Sequence, residues 1–102
     1  MKLPRRYKTQ ADILKAVASP ARLFIIEQLA EGEKCVKELA EALQLEMSTV
    51  SKHLSVLRNA GIVTDEKRSN QVFYTLRTPC VLNFFQCVLA VQEDRVRQER
   101  ME

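Results

Sequence analysis

One run of the chain carries most of its chemistry. Ser48, Thr49, Ser51, Lys52, His53 and Ser55 are interleaved with Val50, Leu54 and Leu57. On a helix the apolar residues share one face and the polar residues the other. Such a helix can keep one side on a core and lay the other in the major groove of DNA. Small hydroxyl residues at its start let the backbone approach phosphates, and the unpaired amides of its first turn donate to anions. Lys52 and His53 are long enough to reach base edges or phosphates. Further on, Lys67, Arg68 and Asn70 lie in a polar segment between Val63 and Val72, at the expected tip of a hairpin. Cations there suit the DNA backbone or the minor groove. Each feature alone also describes an ordinary solvated surface; their order along the chain points to DNA. The other reactive groups are three thiols, Cys35, Cys80 and Cys87. Thiolates suit soft ions such as As(III), Cu(I) or Cd(II), although buried free cysteines are also common small hydrophobes. Catalysis is not expected. A thiol enzyme needs a cysteine beside a base, and His53, the only histidine, has no cysteine near it in sequence.

Positioning these groups requires a scaffold, and its elements are legible. Thr9 caps a first helix over about residues 10–18, with Ile13, Leu14 and Val17 inward. Ser19-Pro20 is a cap followed by a proline at the first helical position. It opens a second helix through residue 30, with Leu23, Ile26 and Leu29 buried, and Gly32 ends it. A third helix follows Cys35, with Val36, Leu39, Ala40 and Leu43 at helical spacing. Residues 44–47 make a turn with Leu45 as an apolar plug. Ser48 caps a fourth helix over residues 49–60, and Gly61 stops it. The period then changes: residues 62–64 and 71–76 read as strands, joined by a turn at 66–70. Thr78-Pro79 introduces a last helix, roughly residues 80–97, which is apolar nearly all round. Burial on two sides, against its own domain and against a partner copy, explains that pattern. The fold expected is mainly α with a β-hairpin, in the order α-α-α-α-β-β-α, a winged helix-turn-helix. Residues 1–9 form a basic arm, 10–97 the DNA-binding and dimerisation domain, and 98–102 a charged tail.

Composition sets the bounds. A chain of 102 residues has room for one domain, and 46% hydrophobic with 28% charged residues excludes global disorder. The net charge of +3 is concentrated at the start, where Lys2, Arg5, Arg6 and Lys8 have no acidic neighbour before Thr9. No apolar run approaches the ~20 residues of a transmembrane helix. The basic start has no apolar stretch behind it, so it is not expected to be a secretory signal. With an odd number of cysteines, a reducing cytoplasm is the expected compartment.

The chain resembles the ArsR/SmtB family of transcriptional repressors. The matching stretches are Ala18-Ser19-Pro20-Ala21-Arg22-Leu23, Glu38-Leu39-Ala40, the long run from Ser48 to Val63, and Val72-Phe73-Tyr74-Thr75-Leu76. The resemblance implies a homodimer joined through the first and last helices. It implies that this dimer binds double-stranded operator DNA without a cofactor. It also implies release of the operator when a metal, metalloid or thiol-reactive signal is sensed. The positions matching the family's recognition helix are Ser48, Thr49, Ser51, Lys52 and His53.

The sensor is less conventional. Arsenite-sensing members often carry Cys-x-Cys at the start of the third helix, where this chain has Cys35 and Lys37. Zinc-type members use His and Asp/Glu ligands along the last helix, and residues 78–97 contain no histidine. Persulfide sensors need a cysteine in the second helix, which is also absent. Cys35, Cys80 and Cys87 remain. Cys80 and Cys87 would be ~10 Å apart on a continuous helix. They can share an ion only if the helix starts after Cys80, or across a dimer in which Cys80 faces the partner's Cys87, with Cys35 as a third thiolate. As(III) or another thiophilic ion is the expected inducer. The alternatives are a repressor responding to thiol oxidation or persulfide, and a winged-helix protein-interaction module without DNA binding.

Overall fold

The computed structural model describes residues 2–101. Its five helices are α1 (Arg5–Val17), α2 (Pro20–Ala30), α3 (Val36–Leu43), α4 (Met47–Asn59) and α5 (Val81–Met101). Three strands, β1 (Lys34–Cys35), β2 (Val63–Arg68) and β3 (Gln71–Leu76), form one antiparallel sheet in the order β1-β3-β2. This is the expected winged helix-turn-helix with one added strand. β1 has only two residues, too short for any periodicity, and it is defined by its pairing: Lys34 with Tyr74 and Cys35 with Phe73.

Several boundaries shift for local reasons. α1 begins at Arg5 after Pro4, so residues 5–9 of the expected arm are helical. Thr9 is inside the helix, its hydroxyl donating to the Arg5 carbonyl rather than capping. The Ser19 cap on α2 forms as expected, with Pro20 at the first position. The buried stripe of α2 is Ile25, Ile26 and Leu29, whereas Leu23 is 36% exposed. Four consecutive apolar residues, Leu23 to Ile26, are compatible with more than one phase of a buried stripe. α5 starts at Val81, so Cys80 precedes it, and Thr78 does not cap it with its side chain: the hydroxyl is buried with no partner. The helix continues to Met101, through most of the expected tail.

The C-terminal ends of α3 and α4 close by the same device. After α4, the Ile62 amide donates to the Leu57 carbonyl and the Gly61 amide to the Arg58 carbonyl, with Gly61 at φ +84°. A side chain is disfavoured at that φ, so glycine fits. After α3, Leu45 donates to Ala40 and Gln44 to Glu41, with Gln44 in the left-handed region. Leu45 is 39% exposed and is not the plug expected of it. At the start of α3 the Cys35 amide donates to Glu38 Oε1 at 3.1 Å. That bond holds the Glu38 carboxyl below its ordinary range. Its contribution is therefore present at neutral pH and lost on acidification through the folded-state value.

The core gathers Val17, Ile25, Ile26, Leu29, Leu39, Val50, Leu54, Leu57, Val63 and Tyr74, contributed by α1 to α4 and the sheet. Burying Tyr74 pushes its phenol up. α5 adds no fully buried residue; Val81, Leu82 and Phe85 only flank the core. The radius of gyration is 16.0 Å, above the ~13 Å of a compact domain of about this length. The long α5, with no residue fully buried, accounts for the difference. Among the described residues no helix is long and apolar enough to cross a membrane.

Candidate DNA-binding face and the three thiols

α4 separates its faces as the interleaving requires. Val50, Leu54 and Leu57 are fully buried. Ser48, Thr49 and Lys52 are exposed, and Ser51, His53 and Ser55 lie at the margin, half-buried. The N-cap is Glu46, whose side chain makes no capping bond, so Ser48 stands in the first turn rather than at the cap. Met47, the first helical residue, is 52% exposed. It sits beside Ser48 in the first turn of α4. The sequence pattern places it in the 44–47 turn, whereas it is the first residue of the helix.

Two polar ties hold α4 to the rest of the fold. Near its end Arg58 pairs with Asp65 on β2 at 2.9 Å, binding helix to wing. At its middle His53 Nδ1 accepts from Arg22 Nε at 3.1 Å. The His53 ring is thus engaged on one edge, with only Nε2 left for another partner.

The wing is shorter-tipped than expected. β2 pairs with β3 up to Arg68 opposite Gln71, and only Ser69 and Asn70 turn, both at positive φ. This is the two-residue turn that suits strand twist. Of the three wing candidates, Asn70 is therefore at the tip, and Lys67 and Arg68 are on the strand. Arg68 is already occupied: it pairs with Glu33 and lies 4.2 Å from the centroid of the Phe73 ring. Glu33 holds that guanidinium more firmly protonated. Among the described residues no carboxylate lies within ion-pair reach of Lys52 or Lys67.

The three thiols differ in their surroundings. Cys35 is buried at 6% exposure, while Cys80 and Cys87 are exposed. Among the described residues no three His, Cys, Asp or Glu side chains are grouped to hold a metal ion. Cys35 lies at the start of α3 and pairs with Phe73 of β3, whereas Cys80 directly precedes α5 and Cys87 lies on it.

α5 and the first two helices also bound an apolar groove of about 540 Å³, lined by Leu14, Leu23, Phe84, Phe85, Val88 and Leu89 among others. Leu14, Phe84 and Val88 are each 50% exposed, and Val91 is 60% exposed. Contiguous apolar surface is a common feature of interaction sites.

Comparison with known proteins gives a consistent picture. Residues 19–65 match the family described as bacterial regulatory protein, arsR family. The chain is 43% identical over 65 residues to the HTH-type transcriptional repressor SmtB of Mycobacterium tuberculosis, covering 64% of this chain and 48% of that one. The match thus spans about half the length of that relative. It is 36% identical over 89 residues to the biofilm growth-associated repressor of Agrobacterium fabrum, covering 87% and 76% of the two chains. Among solved structures it is similar to a homodimeric winged helix-turn-helix DNA-binding domain from Mycobacterium bovis. That likeness has a TM-score of 0.77 at 26% identity, covering 95% and 93% of the two chains.

Proposed function

We propose that this chain, which belongs to the arsR family of bacterial regulatory proteins, is a homodimeric repressor that binds double-stranded operator DNA. The observation that carries the reading is the division of α4: Ser48, Thr49 and Lys52 exposed, Val50, Leu54 and Leu57 fully buried. An exposed polar face at the start of a helix, beside a hairpin bearing Lys67, has the form that a major groove and its phosphates accept. Ser48, Thr49, Ser51 and Lys52 meet the operator, with His53 bordering them. Asn70 and Lys67 approach the backbone or minor groove. No cofactor is needed for this. The exposed apolar faces of α1 and α5 support the dimer, as does the homodimeric neighbour. A protein-association module would need neither the polar helix face nor the charged hairpin.

The wing offers the first test. Each phosphate neutralised contributes ~0.9 to the slope of log affinity against log salt. Lys67→Ala is expected to flatten that slope by about one or two per dimer, with sequence preference retained. Arg68→Ala is expected to change it less, because Glu33 and Phe73 already engage the guanidinium. Fluorescence anisotropy across a salt series measures both. An unchanged slope in Lys67→Ala would remove the wing from the contact surface.

The operator is released by a thiol-reactive signal. Cys80 and Cys87 are the exposed thiols, and they flank the start of the apolar helix. A thiophilic ion would be held by Cys80 and Cys87, either within one chain, since α5 starts after Cys80, or across two copies, with the soft-ligand chemistry of thiolates. As(III) or a similar ion is the first candidate inducer, and thiol oxidation or persulfide formation the second. Single serine replacements at Cys35, Cys80 and Cys87, assayed for operator release by arsenite and by peroxide, decide the matter. Loss of response is expected for Cys80→Ser and Cys87→Ser. If all three variants respond like the parent, the cysteines are not the sensor.

A further inference from the structure

Arg22 is the third residue of α2, half-buried, and its guanidinium makes two directed bonds to two other helices. Its Nε donates to His53 Nδ1 on α4 at 3.1 Å. Its Nη1 donates to the Ala16 carbonyl in the last turn of α1 at 3.2 Å. That carbonyl belongs to a residue only 6% exposed. One planar, rigid fork therefore spans the helix with exposed apolar surface and the helix with the polar face. Its own backbone is also fixed, since the Arg22 amide donates to Ser19 Oγ at the α2 cap. Elsewhere α4 is held by apolar contacts, which resist separation more than rotation, and by the Arg58–Asp65 pair at its far end.

We propose that Arg22 and His53 are positioning residues. They fix the rotation of α4 relative to α1, and with it the spacing at which two copies present their reading heads. His53 then serves DNA binding as the acceptor for Arg22 rather than as a reader of bases. This rests on the DNA-binding reading above and on α1 lying at the dimer contact. The acceptor must sit at Nδ1, which gives a stereochemical handle. The side-chain oxygen of asparagine occupies the Nδ1 position, whereas that of glutamine falls nearer Nε2. Arg22→Lys keeps the charge but cannot direct two fixed donors at two helices.

The test measures operator affinity of the full-length protein and of Arg22→Lys, His53→Asn and His53→Gln. Each is titrated with the operator at its native half-site spacing, with one or two base pairs inserted at its centre, and with random duplex. His53→Asn should bind the native operator within about threefold of the parent. Arg22→Lys and His53→Gln should lose about tenfold or more, the usual scale for a hydrogen bond to a charged group. The penalty for altered spacing should shrink in those two variants, and affinity for random duplex should stay unchanged. Thermal unfolding and sedimentation accompany each variant; if Arg22→Lys fails to fold, the Asn–Gln contrast decides alone. Equal behaviour of His53→Asn and His53→Gln overturns the proposal, as does unchanged spacing discrimination in a folded Arg22→Lys. If the parent binds no DNA at all, the DNA-binding reading falls and this proposal falls with it, an outcome distinct from the other two.

Discussion

Replacing Val88 by aspartate is expected to yield a folded monomer whose affinity for a two-half-site operator is about 10²–10⁴-fold weaker. The factor is the loss of avidity when two binding units are no longer linked. Val88 is 50% exposed in the single chain, so the carboxylate is solvated there and the domain tolerates it. In the dimer the same carboxylate would be buried without a partner, which is strongly unfavourable. Phe85 is a poorer probe because it packs against the domain's own core, and Phe85→Asp would damage fold and interface together. Sedimentation checks the mass, and anisotropy with one and two half-sites checks the affinity. A dimeric, well-folded Val88→Asp would place the interface elsewhere.

The second large effect is on stability. Leu54→Ala is expected to destabilise the domain by ~2–5 kcal/mol, the range for leucine truncation in a tight core. Leu54 is fully buried, and it follows His53 on the helix that carries the polar face. Domains of this size are stable by only ~5–15 kcal/mol, and each kcal/mol lost lowers Tm by roughly 4–8 °C. Val56→Ala on the same helix, at a site 36% exposed, serves as the control and should change stability little. Saturating operator should restore part of the lost Tm, since a ligand that binds only the folded state stabilises it. Calorimetry with and without DNA measures both. A Leu54→Ala variant as stable as the Val56→Ala control would mean that α4 is not packed as described.

The parts of the fold that could be read from sequence were those with a strong local signal. Ser19-Pro20, the interleaved faces of α4, Gly61 and the run 71–76, rich in β-branched and aromatic residues, each determine their own structure. Where two signals overlapped, the reading slipped. Lys67 and Arg68 have the composition of a turn, yet they are strand residues, because β2 is buried only at Val63 and its exposed remainder tolerates charge. Ser48 has the composition of a cap, yet Glu46 precedes the helix and Met47 opens it. β1 could not be read at all, since two residues become a strand only when β3 is beside them. The candidate site divides the same way. The exposed residues of α4 follow from helical period. What engages them does not: Arg22 reaches His53 across 31 positions of sequence, and Arg68 reaches Glu33 across 35. Such pairings exist only once the helices and wing are assembled.

The proposed function comes down to sequence-specific DNA binding by two copies of the polar α4 face. It is tested most directly by selecting bound fragments from a random duplex library with the purified protein at physiological salt. The selected sequence is then titrated, with stoichiometry, against Ser51→Ala/Lys52→Ala. An enriched sequence of twofold character is expected, with half-sites one helical turn apart, ~34–36 Å. Two chains should bind per site, and the double variant should lose ~1–3 kcal/mol of discrimination for each base contact removed. Enrichment of no sequence by a folded, dimeric protein would contradict it, as would full operator preference in the folded double variant.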